Sequence, residues 1–597
     1  MPDQKAAFFR PGRDTLVAAL LFALALAVFL RAPIHDVTDS AYSMMVSESL
    51  LKHHSFTLDQ YALPRNEPKH WVDYVSNGQL YTIELANGHL YYFFPPGNLV
   101  LSAPFVAVFN AFGISAANPD GTYNPEGETT IEYVLAALLM AGLTVIFFYT
   151  SRLVLPLAWS IVIALGGAFG TQIFSTASRV LWTDTWGTFL LGIALWMILR
   201  REMRKGELNG VILATLVAWL YFVRPTFSLH IIAMAIYVFL CQRKHFVRFA
   251  LTGAVWLALF FWYSWHNFHH FLPSYYRAGR LYFGVFWTAF PANLISPGRG
   301  LLVYVPVLFF VGYLLVRYRR HVVYPRIVVM ALAVTVVHLA VVSCFGHWWG
   351  GYSYGARFST SLVPWFVVIA ILAVQARRIS LEKAVGAVSP VGKKLELSVG
   401  ALLLLASVAI NSFGAADRKT ALWNVRPQNI DLHPERNWDW RQPQFLAGFL
   451  HPPFPDAVPP LREQIDVTTA ESDPFFWYGW SAGEPQFRWT DDYEAALVFA
   501  VSNPRDTVLT MKATAFVVPG LSRQRVTVAL NATVVANFEI ADDSAREYTI
   551  ELPANMLRGQ NVLTFTLPDA VSPESLGLSK DFRGLGLAVY WLRFTTK

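Results

Sequence analysis

Asn98-Leu99-Val100-Leu101-Ser102-Ala103-Pro104-Phe105-Val106-Ala107-Val108-Phe109-Asn110-Ala111-Phe112 is apolar enough for a membrane helix, and whether it crosses sets the side on which everything after it lies. It follows Pro95-Pro96-Gly97 and runs for fifteen residues, short of the ~20 that a span needs. Charge arbitrates. Lys and Arg cluster at Lys5/Arg10/Arg13, Arg152, Arg200/Arg201/Arg204/Lys205, Arg243/Lys244/Arg248, Arg317/Arg319/Arg320 and Arg377/Arg378/Lys383/Lys393/Lys394. Short loops rich in these residues stay cytoplasmic. The clusters share one side only if 98–112 does not cross, so this stretch is expected to lie along the outer membrane face.

About eleven segments then span: 16–30, 131–150, 157–176, 186–199, 211–223, 227–240, 249–265, 301–316, 327–345, 361–374 and 397–410. Several are short, and flanking Trp, Tyr and Phe extend them through the interface. The N terminus is cytoplasmic, while residues 32–130, 266–300 and everything after 410 lie outside. The first segment follows a basic stretch, as a signal peptide would. Arg31-Ala32-Pro33 offers no small-residue cleavage site after it, so it reads as a retained anchor. The composition, 54% hydrophobic and only 15% charged, belongs to a polytopic membrane protein. The net charge of +7 sits in the cytoplasmic clusters and reports orientation, not a nucleic-acid partner. Cys241 and Cys344 fall at opposite ends of membrane segments, which suits neither a disulfide nor a metal site.

The chain changes character near Asn411. Residues 1–413 form the membrane domain, with 33–130 as its first outer loop. Residues 414–462, rich in Pro, Trp and Asn, read as a linker. From 463 to 597, short alternating runs separated by Gly, Asn, Pro and Asp predict an extracytoplasmic β-sandwich. Its Trp residues, such as Trp480 and Trp489, fit a sandwich core or a sugar-stacking surface.

The chemistry concentrates in the first outer loop. His35-Asp36-Val37-Thr38-Asp39-Ser40-Ala41-Tyr42 leaves the first membrane helix directly, and Met44, Met45, Ser47, Leu50 and Leu51 suggest a short amphipathic helix after it. A carboxylate held against the lipid surface is partly desolvated, which moves it toward the basicity of a general base. A solvated helix end or an N-cap is the plainer role for such an aspartate. Glu48, Asp59, Asp73 and Glu84 are further carboxylates of this loop, expected to be solvated. The histidine pairs His53/His54 and His269/His270 lack an evident third ligand, so no metal is expected.

These elements resemble the integral-membrane glycosyltransferases of the GT-C fold, the class of the protein O-mannosyltransferases and the aminoarabinose transferases of lipid A. In that class an acidic residue just after the first membrane helix is the catalytic base, and a YxxPPG element follows in the same loop. Here Thr38-Asp39-Ser40-Ala41-Tyr42 matches the first, with Asp39-Ser40 where many members have Asp-Glu. Tyr91-Tyr92-Phe93-Phe94-Pro95-Pro96-Gly97 matches the second. Asp39 is the better carry-over, and Asp36 remains the alternative. Leu294-Ile295-Ser296-Pro297-Gly298-Arg299-Gly300-Leu301-Leu302 and His347-Trp348-Trp349-Gly350-Gly351-Tyr352-Ser353-Tyr354-Gly355-Ala356-Arg357 resemble recurrent elements of the bacterial branch, with Ala356 where proline is usual. The likeness covers the membrane domain and implies the bacterial inner membrane as its location.

No nucleotide pool exists outside the membrane, so a sugar donor must arrive on a lipid carrier, and a polyprenyl-phosphate sugar fits. Its departing phosphate gathers negative charge, which preorganised cations stabilise. Arg357, Arg299 and Arg280 are the expected phosphate ligands. Arg277, Arg224 and Arg179 also lie outside, and each of these arginines could instead snorkel to headgroups. Tyr42, Tyr92, Trp349, Tyr354 and Asp184 are expected substrate contacts, with Asp184 equally suited to a helix N-cap. The acceptor is a cell-envelope glycan, lipid or protein, the site is embedded among membrane lipids, and no cofactor is needed. A transporter or flippase would place its ionisable residues within the helices. A glycan polymerase or ligase would carry its main outer loop late in the chain.

Overall fold

Six helices are long and apolar enough to cross a bilayer: Gly12–Arg31, Pro125–Arg152, Arg243–Phe268, Pro325–Val342, Arg357–Lys383 and Val391–Ala416. They appear in a computed structural model that describes residues 11–35, 38–63, 82–204, 206–276, 278–383, 390–425, 429–450, 452, 454–579, 581 and 583–597. The chain divides into two compact units, Met1–Ala447 and Gly448–Lys597. The first is a polytopic helical membrane domain and the second is built of β-sheet.

In the helical unit, α1 (Pro11–Arg31) is followed by α2 (Ser43–Lys52) and by a hairpin of β1 (Ile83–Ala86) and β2 (His89–Tyr92). Next come α3 (Gly97–Ala111), α4 (Pro125–Arg152), α5 (Leu157–Phe169), α6 (Thr183–Arg204), α7 (Gly210–Val223), α8 (Ser228–Cys241) and α9 (Arg243–Phe268). The last are α10 (Phe286–Ile295), α11 (Leu301–Tyr304), α12 (Val307–Arg317), α13 (Pro325–Val342), α14 (Val363–Lys383) and α15 (Pro390–Ala416). Local chemistry starts the longest of them: the Asn124 side chain accepts from the Gly127 N–H at 3.2 Å, and Pro125 occupies the first turn of α4, where a missing N–H costs nothing. The α14 segment is 83% buried and forms the centre of the unit, whereas α9 is 11% buried and presents its apolar surface outward.

Three features depart from or refine the sequence reading. The expected 301–316 segment breaks between α11 and α12 at Pro306, which has no N–H to continue the ladder. The expected outer loop 266–300 contains α10. Residues 414–462 are shared between the two units: Trp423, Ile430 and Ala447 pack with Trp348 and Trp349 of the helical unit, and the β unit begins at Gly448. The stretch 98–112 is helical as α3, fifteen residues long, and packs on α2. Two basic residues that marked inside ends are buried in ion pairs. Arg152 donates from Nε and Nη2 to one oxygen of Asp14 at 3.0 and 2.9 Å, and Arg377 pairs with Glu396.

The β unit is a sandwich of two five-stranded antiparallel sheets. One has the order β10 (Arg546–Leu552), β7 (Thr507–Ala515), β12 (Leu587–Thr596) and β3 (Gln464–Asp466), with β5 (Arg488–Trp489) also on β12. The other runs β4 (Phe476–Tyr478), β6 (Glu494–Ala500), β11 (Gln560–Thr566), β8 (Gln524–Leu530) and β9 (Thr533–Ile540). Alternating residues of both, among them Leu497, Phe499, Leu509, Met511, Phe565 and Leu592, close the core.

Candidate active site after the first helix

Asp39 lies in the turn that joins α1 to α2, and this turn is held from outside. Tyr42 stands in the left-handed region at φ +73°, a conformation that persists in a non-glycine residue only when its surroundings impose it. Those surroundings are Glu128 and Glu132, one turn apart on the same face of α4 and both fully buried. The Tyr42 and Met44 N–H groups donate to the two oxygens of Glu128, each at 2.7 Å. The Ser40 and Ser43 hydroxyls donate to Glu132 at 2.7 and 3.1 Å. No side chain of its own caps α2, so the carboxylate of Glu128 satisfies its orphan N–H groups from another helix. The Tyr42 ring packs on Tyr123 at 4.2 Å between centroids, and burial together with Glu128 pushes the Tyr42 hydroxyl up to about 12.

Arg357 meets Asp39 from the far side of the sequence. Its Nη2 donates to Asp39 Oδ2 at 2.5 Å, its Nη1 donates to the Gly350 carbonyl at 3.0 Å, and its guanidinium lies 3.4 Å over the Trp182 ring. Its Nε is buried with no hydrogen-bond partner. Arg357 is 6% exposed, while the Asp39 side chain is 30% exposed, so the pair sits at a boundary open on the carboxylate side. The turn that delivers Arg357 includes Gly355 at φ +57°, where a Cβ would stand 2.4 Å from the Tyr304 ring.

That turn is clamped by Arg299. Every nitrogen of its guanidinium donates to a protein oxygen: Nε to Trp349 at 2.5 Å, Nη1 to Gly298 and Gln444, and Nη2 to Gly351 and Asn424. Burial lowers its pKa to about 10, so it stays cationic at neutral pH. The expectation of a phosphate ligand at Arg299 meets a side chain already committed to holding the 349–351 backbone.

Asp184, in the first turn of α6, pairs with Arg224 at the junction of α7 and α8, and both are buried. Arg224 lies 5.4 Å over the ring of Phe358, the neighbour of Arg357, and its Nε also lacks a partner. The Tyr92 hydroxyl donates to the Asp39 carbonyl at 2.5 Å. After it, Phe93 and Tyr275 flank the Arg280 guanidinium at 4.9 and 4.3 Å. Gly97 opens α3 against the end of α7, where a Cβ would meet the Phe222 carbonyl carbon at 2.5 Å; this seats the Pro95-Pro96-Gly97 element.

Other expected residues are occupied with packing. The Tyr354 hydroxyl donates to the Ile410 carbonyl at 2.8 Å, and Trp349 Nε1 donates to Asp431 at 2.7 Å. Glu48, expected in solvent, is fully buried and accepts from the Ala116 N–H at 2.6 Å, from Ser115 and from Lys52. Asp59 accepts from the Leu90 N–H at 3.0 Å and faces His89. Burial lowers the pKa of His35, whose Nδ1 lies 3.0 Å from the Arg179 carbonyl. Asp36, Asp73 and Arg277 lie outside the described residues. Among the described residues no three His, Cys, Asp or Glu side chains converge as metal ligands would. Glu128 and Glu132 escaped the sequence reading; their signal was two carboxylates four residues apart at the head of an otherwise apolar helix.

No family model matches the chain, and no curated protein does. Solved structures similar to it include ArnT from Cupriavidus metallidurans in the apo state, with 15% identity and a TM-score of 0.40 over 68% of each chain. The arabinosyltransferase EmbB from Mycobacterium smegmatis has 11% identity and a TM-score of 0.35, over 98% of this chain and 66% of that one.

Proposed function

We propose that this protein is a GT-C-type glycosyltransferase that moves a sugar from a polyprenyl-phosphate donor to a cell-envelope glycan, lipid or protein on the outer face of the membrane. The observation that carries the reading is the Asp39–Arg357 pair, in which a partly exposed carboxylate just after the first helix meets a buried guanidinium with a spare Nε. A donor phosphate offers Arg357 a stronger, bidentate partner than one carboxylate oxygen. Its arrival draws Arg357 away from Asp39, so the base is released only when the donor is present.

Asp39 then takes the proton of an acceptor hydroxyl while that oxygen attacks the anomeric carbon. The carbon–oxygen bond to the phosphate breaks on the opposite face, the configuration inverts, and polyprenyl phosphate leaves with the bonding electrons. Arg357 neutralises the charge that grows on the leaving oxygen. Arg224, held by Asp184, is the second cation within reach, and Arg280 with Phe93 and Tyr275 stands near the rim.

The test is direct. Protein in nanodiscs should release polyprenyl phosphate from a polyprenyl-phosphate sugar when acceptor is added, read by mass spectrometry, and should leave nucleotide sugars untouched. Asp39→Asn should lower turnover by ~10²-fold or more with donor binding kept. Consumption of a nucleotide sugar, or full activity in both the Asp39→Asn and Asp36→Asn variants, would sink the proposal.

A further inference from the structure

The β unit leaves one sheet face outside its core, and that face is not ordinary solvated surface. Leu509, Met511, Val589 and Leu592 of the β10-β7-β12-β3 sheet point inward. Strand register therefore puts Trp489, Ala588 and Thr514 in one outward row, and Asp466, Trp591, Lys512 and Glu547 in the next. A bulge between Val589 and Trp591 brings Tyr590 to the same side, where the Lys512 ammonium lies 5.7 Å over its ring. The Phe487 ring links Trp489 and Tyr590 at 5.7 and 5.5 Å, and the Arg593 guanidinium sits 4.9 Å over Trp591. These rings are half-buried, in contrast to Trp480, which is buried in the core with its Nε1 on the Ala496 carbonyl at 3.0 Å.

The second observation is Thr514. It is 8% exposed, it belongs to the outward row beside Trp489, and its hydroxyl has no hydrogen-bond partner. Buried polar groups are normally paired. The face thus combines aromatic surface, an unpartnered hydroxyl, and cations balanced by carboxylates (Lys512 and Arg593 against Asp466 and Glu547). An anionic polymer or a lipid headgroup would favour one sign of charge. A sugar ring matches the combination, with an apolar C–H face to stack and hydroxyl edges that both donate and accept. Ala588 and Trp591 lie three residues apart along β12, about 10 Å, the length of two linked sugars.

We propose that this face binds a neutral glycan chain of two or more sugars. It is a site separate from Asp39, and it stands whether or not the helical unit is a transferase. The test uses the full chain in nanodiscs with soluble neutral hexasaccharides of glucose, mannose and galactose, and dextran sulfate as the anionic comparison, measured by saturation-transfer NMR and thermophoresis. At least one neutral hexasaccharide should bind. Trp489→Ala with Trp591→Ala should weaken it tenfold or more, Trp591→Tyr should keep it within about threefold by retaining a stacking ring, and Arg357→Gln should leave it unchanged. If the alanine variant does not fold, Thr514→Val, which removes only the hydroxyl, should still weaken binding measurably. The proposal is overturned if none of the three binds, if only dextran sulfate binds, or if binding survives the folded alanine variant.

Discussion

Arg299 and Arg357 lie in the same part of the helical unit, both buried, both beside glycines, and both expected from the sequence to hold phosphate. Their surroundings differ in one respect. Arg299 donates from all three nitrogens to backbone carbonyls and amide oxygens. Arg357 keeps an Nε without a partner and spends Nη2 on a carboxylate that is itself partly exposed. Burial alone therefore does not mark a ligand-binding arginine. Spare donor capacity does, because only a side chain with an unfilled or exchangeable bond can take a new partner without breaking the fold.

The same substitution at both positions breaks or sharpens this contrast. Arg299→Gln strands several oxygens at once, at about 1–3 kcal/mol each, a sum comparable with the ~5–15 kcal/mol that keeps a domain folded. Little monodisperse protein should emerge from size exclusion in detergent. A well-folded Arg299→Gln protein with weakened donor binding would reverse the two roles. Arg357→Gln should fold, bind donor more weakly and lose ~10²–10³-fold in turnover, as expected for removal of a preorganised charge stabiliser. Near-normal kinetics there would remove Arg357 from the reaction.

A smaller effect is expected at the support of the base. Glu128→Gln keeps one acceptor oxygen but replaces the other with a donor that faces a backbone N–H, so the α2 cap is half lost. Thermal stability should fall by ~1–3 kcal/mol and turnover by about tenfold, with the donor Kd unchanged. An equal loss of donor affinity would mean that Glu128 acts on the Arg357 side instead. The smallest effect lies in the β unit. Arg525 donates to Asp569 from N, Nε and Nη2 at 2.6–2.9 Å and pulls the carboxyl down to about 2. A depressed carboxylate adds stability above its unfolded pKa of ~3.9, and this is lost as pH falls from about 4 toward 2. Asp569→Asn should flatten the melting-temperature profile across that window and leave it unchanged at pH 7.

Long apolar segments and alternating strands were legible because periodicity and composition are local properties. So was Asp39, from its place after the first helix. Its meeting with Arg357 was not, since 318 residues separate them and only the likeness to a known class put them in one site. The Glu128/Glu132 support was hidden for another reason. Taken as the tail of a solvated loop, these residues look like ordinary surface carboxylates, and only the fold shows the N–H and hydroxyl groups that make their burial tolerable. Tyr354 and Trp349 failed as expected substrate contacts because a polar atom in a motif does not reveal what already occupies it. The Ile410 carbonyl and Asp431 do so here.

The buried pair of Asp14 with Arg152 ties α1 to the far end of α4, and the bonds from residues 40–44 to Glu128 and Glu132 tie the chain after α1 to the near end. A rod pinned at both ends to its neighbour cannot slide or pivot independently, so α1 and α4 form a single stator carrying the base. Any widening of the cleft to admit a bulky carrier must then be a displacement of the Arg357 loop. Probes on that loop, and not on α1, are where substrate-dependent motion should register.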